Sequence, residues 1–200
     1  MFYFSAMDSR AERIVDTAIE LAERDGYVAV RLRDVAAQAG VALGTVYRRF
    51  TCKEDILAAA LEREVNRLRA RARDIARNDG LDTAARVDAI FELLTKGLLR
   101  RQNLTRALLR AVASGEPDIT QKVTRFHSVI TRIILAAIRG EPYAPDVPDD
   151  QVGTESERSI AMLLQQVWFA SLVGWSGGMH DGTMVIQHIR VALRYVFPKA

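Results

Sequence analysis

Apolar residues recur at helical spacing in segment after segment of this chain, and no stretch alternates as a half-buried strand would. That pattern restricts the fold to an all-α architecture of about nine helices. Ser9 or Asp8 can cap a first helix with the inward stripe Ile14, Val15, Ala18, Leu21 and Ala22, which ends at Asp25-Gly26. Two short helices follow, near 32–39 and 43–50, separated only by Gly40-Val41-Ala42. A long helix should run from Lys53 to Asn78, with Thr51 and Glu54 spaced for a reciprocal capping box. Helices near 82–99, 103–114 and 117–139 come next, and Pro117 suits a first helical position. Residues 140–153 are acidic and hold three of the five prolines, so a loop is expected before two last helices, near 154–177 and 183–197.

Composition excludes several classes. A single cysteine, Cys52, cannot build a disulfide framework, which points to the reducing cytoplasm. The longest nearly apolar stretch, Ile160 to Trp175, contains Gln165 and Gln166 and falls short of the ~20 residues of a membrane span. No membrane partner is therefore expected. The opening MFYFSAM lacks the basic region and long apolar core of a signal peptide and reads as a frayed tail. The net charge of +3 discriminates little by itself.

Its distribution matters more. Between Arg31 and Lys53 there are five basic residues (Arg31, Arg33, Arg48, Arg49, Lys53) against one acidic residue, Asp34. The same stretch holds the two short helices, and a tight Gly-containing turn between such helices is a helix-turn-helix pattern. Val35 and Ala36 can pack against Val41, Val46 and Phe50, and Ala36 and Ala39 are small where two helices cross. The second helix then presents Leu43, Gly44, Thr45, Tyr47, Arg48 and Arg49. Gly44 allows a close backbone approach, the hydroxyls suit phosphate, and arginine reaches phosphates or guanine edges. Lys53 sets its ammonium at the positive end of the long helix, a suitable phosphate anchor. Plain packing units also use paired short helices, so the charge bias carries the preference for double-stranded DNA.

The run Gly26-Tyr27, Arg33-Asp34-Val35-Ala36, Ala39-Gly40-Val41, Gly44-Thr45-Val46-Tyr47-Arg48-Arg49-Phe50 and Lys53-Glu54 resembles the DNA-binding domain of the TetR family of bacterial transcriptional regulators. The resemblance covers about residues 9–70 and implies an effector-binding and dimerisation domain over 71–200. It implies that the second short helix is the recognition helix, with Tyr47 and Lys53 on phosphates and Thr45 and its neighbours facing bases. The DNA-contact set is then Arg33, Leu43, Gly44, Thr45, Tyr47, Arg48 and Lys53. Three positions depart from the family pattern: Val30-Arg31 where a Thr or Ser cap is usual, Ala42-Leu43 for Ser-Lys, and Thr51-Cys52 for Pro-Ser. The segment Ala29-Val30 to Arg33 and the run Val167-Trp168, Ser171-Leu172, Trp175 are similar to the KstR-like subgroup, repressors of sterol catabolism.

The helix near 154–177 carries two apolar stripes and needs cover on more than one side, either from its own domain alone, as a buried central helix of a monomer, or in part from a second subunit. The second arrangement makes Val173, Val185, Ile189, Ala192, Leu193 and Val196 the expected homodimer interface. Phe91, Leu94, Leu98, Leu108, Phe126, Ile130, Ile134, Trp168 and Phe169 lie on inward stripes of helices that line the effector cavity in the family. Together they imply a small, mostly apolar effector, sterol- or acyl-related. His127 shares a face with Val123, Ile130 and Ile134 and reads as a half-buried, hydrogen-bonded histidine.

No catalytic residue, metal set or cofactor is expected. His127, His180, His188 and Cys52 lack zinc-ligand spacing, and there is no Gly-x-Ser-x-Gly, P-loop or dinucleotide fingerprint. The arginines from Arg63 to Arg77 spread around their helix and read as a solvated surface. The alternative to a DNA-binding regulator is a helical small-molecule-binding protein or enzyme that does not use DNA.

Overall fold

A computed structural model describes residues 9–141 and 151–198. The opening tail, the Asp8 cap and most of the 140–153 loop expected from the sequence lie outside the described residues. Among those described there are nine α-helices: α1 Ser9–Asp25, α2 Leu32–Gln38, α3 Leu43–Tyr47, α4 Lys53–Ala76, α5 Thr83–Leu99, α6 Gln102–Val112, α7 Thr120–Arg139, α8 Glu155–Ser176 and α9 Gly182–Val196. Short 3-10 turns occupy Tyr27–Ala29 and Pro117–Ile119. Pro117 therefore opens a separate turn rather than α7, and α3 stops at Tyr47 instead of running to Phe50.

The chain packs as two compact units that are not collinear with the sequence. One comprises the described residues up to Glu64 together with Arg100–Phe126; the other comprises Val65–Leu99 and the described residues from His127 onward. Residues 100–126, expected in the second domain, thus pack with the first.

The first unit is centred on α1, whose Ile14, Val15, Ala18 and Ala22 are fully buried. Helix α6 closes over α1 with Leu104, Ala107, Leu108 and Ala111, all nearly inaccessible. Glu23 joins the two helices: its carboxylate accepts from the Leu104 amide at 3.1 Å, and its carbonyl accepts from Asn103 at 3.0 Å. The first bond satisfies a backbone amide that the start of α6 would otherwise leave unpaired, and the second comes from the Asn103 side chain. Lower down, α4 and α7 carry facing charges, with Asp55 paired to Lys122 and Glu62 at 3.7 Å from Arg125. Burial pushes the Glu62 carboxyl up despite Arg125 and Lys122.

In the second unit α9 lies against α8 and α5. Thr154 and Glu157 form a reciprocal capping box at the start of α8, and the Asp181 side chain caps α9 by accepting from the Thr183 and Met184 amides. Arg86 ties the start of α5 to the end of α7 by donating to the Leu81 carbonyl at 2.6 Å and the Ala137 carbonyl at 2.9 Å. Two glycines allow close approaches: a Cβ on Gly97 would stand 2.6 Å from Leu68, and one on Gly182 the same distance from Leu99.

Candidate functional site

The helix-turn-helix is held from within. Val35, Ala36, Ala39, Val46 and Phe50 are buried, so α2 and α3 dock through small and β-branched side chains. Gly40 takes φ 64° at the reversal, a conformation that a side chain disfavours, and the Val41 amide returns to the Ala36 carbonyl at 3.0 Å. Arg31 occupies the α2 N-cap without a side-chain hydrogen bond, so α2 lacks the ~1 kcal/mol a Ser or Thr cap supplies.

All seven expected DNA contacts fall in the first unit; five lie on α3 or at its C-cap, Arg33 lies on α2 and Lys53 opens α4. Gly44, Tyr47 and Arg48 are exposed, Leu43 and Thr45 partly so, while Arg33 is exposed on α2. Tyr47 leaves 57% of its surface in solvent. Arg48 donates to the Thr45 hydroxyl at 3.2 Å, coupling the two side chains in the free protein. A Cβ on Gly44 would meet nothing within 4 Å, so the chain's own packing does not require glycine there. A surface concavity is lined by Thr45, Arg48, Arg49 and Arg10. Arg10, at the start of α1, was not foreseen: it is far from α3 in sequence, and only tertiary packing joins them.

At the head of α4 the expected Thr51–Glu54 capping box is replaced. Asp55 instead accepts from the Thr51 amide at 3.0 Å and pairs with Lys122. Glu54, buried, accepts a hydrogen bond from the Tyr27 hydroxyl. The Lys53 ammonium stands 3.9 Å from the Tyr27 ring centroid, and the Arg110 guanidinium from α6 stands 4.4 Å from it. Burial, and then the adjoining Glu54 carboxylate, push the Tyr27 phenol up to about 12. Burial opposes ionisation of Glu54, but the bonds it accepts from Tyr27 and its own amide hold its carboxyl below the usual range.

The expected effector residues separate. Phe91, Leu94, Leu98, Ile130, Ile134 and Trp168 are buried in the second unit, where Phe169 is half-buried, whereas Leu108 and Phe126 are buried in the first. The Trp168 indole donates to the Thr95 hydroxyl at 2.9 Å and its ring lies 5.8 Å from Phe91. A polar chain crosses between α7 and α8: the Thr131 hydroxyl donates to Gln165 at 2.6 Å, and the Gln165 amide donates to His127 Nδ1 at 2.5 Å. Burial pushes the His127 imidazole down, which favours the neutral, accepting form. A shallow depression in this unit has Ala72, Ile133 and Ala136 as its floor and Arg69 and Arg73 beside them. None of the nine expected residues lines it.

The expected interface residues also divide. Val173 is 43% exposed, and Ala192 and Val196 partly so, but Val185, Ile189 and Leu193 are buried within the protomer. The apolar face left in solvent on α8 and α9 is Met162, Leu163, Val173, Met184, Val191 and Tyr195. Among the described residues no group of three or more His, Cys, Asp or Glu could hold a metal, and no helix is long and apolar enough to cross a membrane.

Residues 14–60 match the family described as bacterial regulatory proteins, tetR family, and residues 80–196 match the tetracyclin repressor-like C-terminal domain. The chain is 30% identical over 190 residues to the HTH-type transcriptional repressor KstR of Mycobacterium tuberculosis, covering 94% of this chain and 81% of that repressor. Among solved structures, a TetR transcriptional regulator from Rhodococcus sp. RHA1 superposes with TM-score 0.76 at 24% identity, over 98% of each chain. Thermus thermophilus FadR, solved with lauroyl-CoA, gives TM-score 0.73 at 18% identity over 93% of this chain and 92% of its own.

Proposed function

From the premise that the chain belongs to the TetR family of bacterial transcriptional regulators, and is not an enzyme, we propose that it is a cytoplasmic, ligand-responsive repressor acting as a homodimer. Two copies of α3 would enter successive major grooves ~34–36 Å apart on a near-palindromic operator. The observation that carries this reading is the exposed, basic and hydroxyl-bearing surface of Arg10, Thr45, Tyr47, Arg48 and Arg49 around a glycine that the fold itself does not need. Gly44 in that position suits a phosphodiester backbone approaching α3. In the dimer, Met162, Val173, Met184, Val191 and Tyr195 meet their counterparts.

The effector is a small, mostly apolar molecule, sterol- or acyl-related. The buried apolar residues of the second unit favour that class, and the similarly folded Thermus thermophilus FadR was solved with lauroyl-CoA. Ligand acts only through differential affinity for two conformations, so DNA and effector must weaken one another's binding equally.

Separate roles for two residues test the DNA-facing assignment. Lys53→Ala should weaken binding to all duplexes alike and flatten the salt dependence by about one unit. Arg48→Ala should instead alter preference among duplex variants by about 1–3 kcal/mol at one base pair, as loss of a guanine contact would. Titrating labelled duplexes from the DNA flanking its own gene reads both. Unchanged binding by both variants would remove this face from the DNA contact.

A further inference from the structure

We propose that Tyr27 is a positioning residue that holds the Lys53 ammonium where it meets a DNA phosphate, an inference that rests on the DNA-facing role proposed for Lys53. A lysine side chain is flexible, and fixing it costs rotamer entropy that must be met either on binding or beforehand. Here it is met beforehand. The Lys53 ammonium lies 3.9 Å from the Tyr27 centroid, within the distance at which an aromatic face attracts a cation.

The ring itself is fixed from two sides. Its hydroxyl donates to the buried Glu54 carboxylate, one residue from Lys53 on the first turn of α4. Arg110, in the last turn of α6, places a second cation 4.4 Å from the same ring. Two cations share one aromatic ring, and the single carboxylate beside it offsets part of their repulsion. The high phenol pKa keeps the hydroxyl protonated and donating throughout the physiological range. Tyr27 thus joins the 3-10 turn after α1, the head of α4 and the end of α6 at the point where Lys53 would bind phosphate. Sequence spacing gives no sign of this, because the ring and its two cations come from three separate segments.

The test is a double-mutant cycle on mixed-sequence duplex DNA, a probe that reads phosphate contacts. Tyr27→Leu should weaken binding about fivefold in the wild-type background, the size expected for a partly exposed cation–aromatic contact, and should have no effect in Lys53→Ala. Tyr27→Phe, which keeps the ring, should bind within about twofold of wild type. A second readout needs no Tyr27 variant: in the intact protein the Lys53 ε-methylene protons should resonate upfield, shielded by the ring beneath them. An equal loss from Tyr27→Leu in both backgrounds, or unshifted Lys53 resonances, would overturn the positioning role while leaving Lys53 as a DNA contact. If Lys53→Ala leaves binding and salt dependence unchanged, the DNA-facing reading of Lys53 fails, and the positioning role falls with it.

Discussion

Val173→Glu should convert the protein from dimer to monomer while leaving α8 helical. Val173 is 43% exposed in the protomer, so the substitution removes little from the protomer's own core and should change its stability by only a few tenths of a kcal/mol. In the proposed dimer the same position falls in the apolar face that Met162, Met184, Val191 and Tyr195 leave exposed on the protomer. Met162 and Val173 are separated by eleven residues on α8, and Met184 and Tyr195 by the same interval on α9, so each pair shares one helix face. A carboxylate there is buried without a partner, at about 3–5 kcal/mol. Dimer dissociation should strengthen roughly a hundredfold or more. Sedimentation equilibrium measures the shift, and circular dichroism checks that the helices remain. DNA affinity should drop to that of a single half-site. A Val173→Glu protein that stays dimeric would move the interface elsewhere.

Trp168→Ala should be among the most destabilising single changes in the second unit. The side chain is 1% exposed, its indole donates to Thr95 within the interior, and its ring lies beside Phe91. Truncation removes a large apolar volume and leaves the Thr95 hydroxyl without its donor, for a loss of about 3–5 kcal/mol. Trp168→Phe retains much of the volume and should cost about 1–3 kcal/mol, the range for a buried polar group left without its partner. Urea unfolding of the two variants beside wild type gives the ranking. Equal, small losses for both would show that the interior adjusts around position 168 and that the indole hydrogen bond contributes little.

Periodicity and turn chemistry carry the architecture because they are local. Gly40 between two short apolar stripes is enough to read the helix-turn-helix, and its positive φ is what the turn requires. Helix starts were legible from periodicity, as at α4 and α6, but the groups that satisfy their first amides were legible only where those groups were sequence-adjacent. At α4, Tyr27 draws Glu54 away and Asp55 takes over, which no spacing rule within 51–55 contains. The same limit hid Arg10 and Arg110, which reach their sites from remote helices. Residues 100–126 fall within the C-terminal family match, and Glu23 and the α1 stripe pack α6 with the first unit, a contact that sequence spacing does not contain. On α8 and α9 the difficulty was ambiguity: with apolar residues on several faces, spacing cannot tell Val185 and Ile189, which face inward, from Met184 and Val191, which face out.

Binding of the wild-type protein to DNA flanking its own coding region, titrated at rising salt, tests the central claim most directly. A dimer neutralising about 6–10 phosphates should bind saturably and lose roughly 10³–10⁵ in affinity between about 50 and 200 mM salt. Absence of saturable, salt-sensitive binding to any fragment there would contradict the repressor account and favour a helical small-molecule-binding protein that keeps this fold without using DNA.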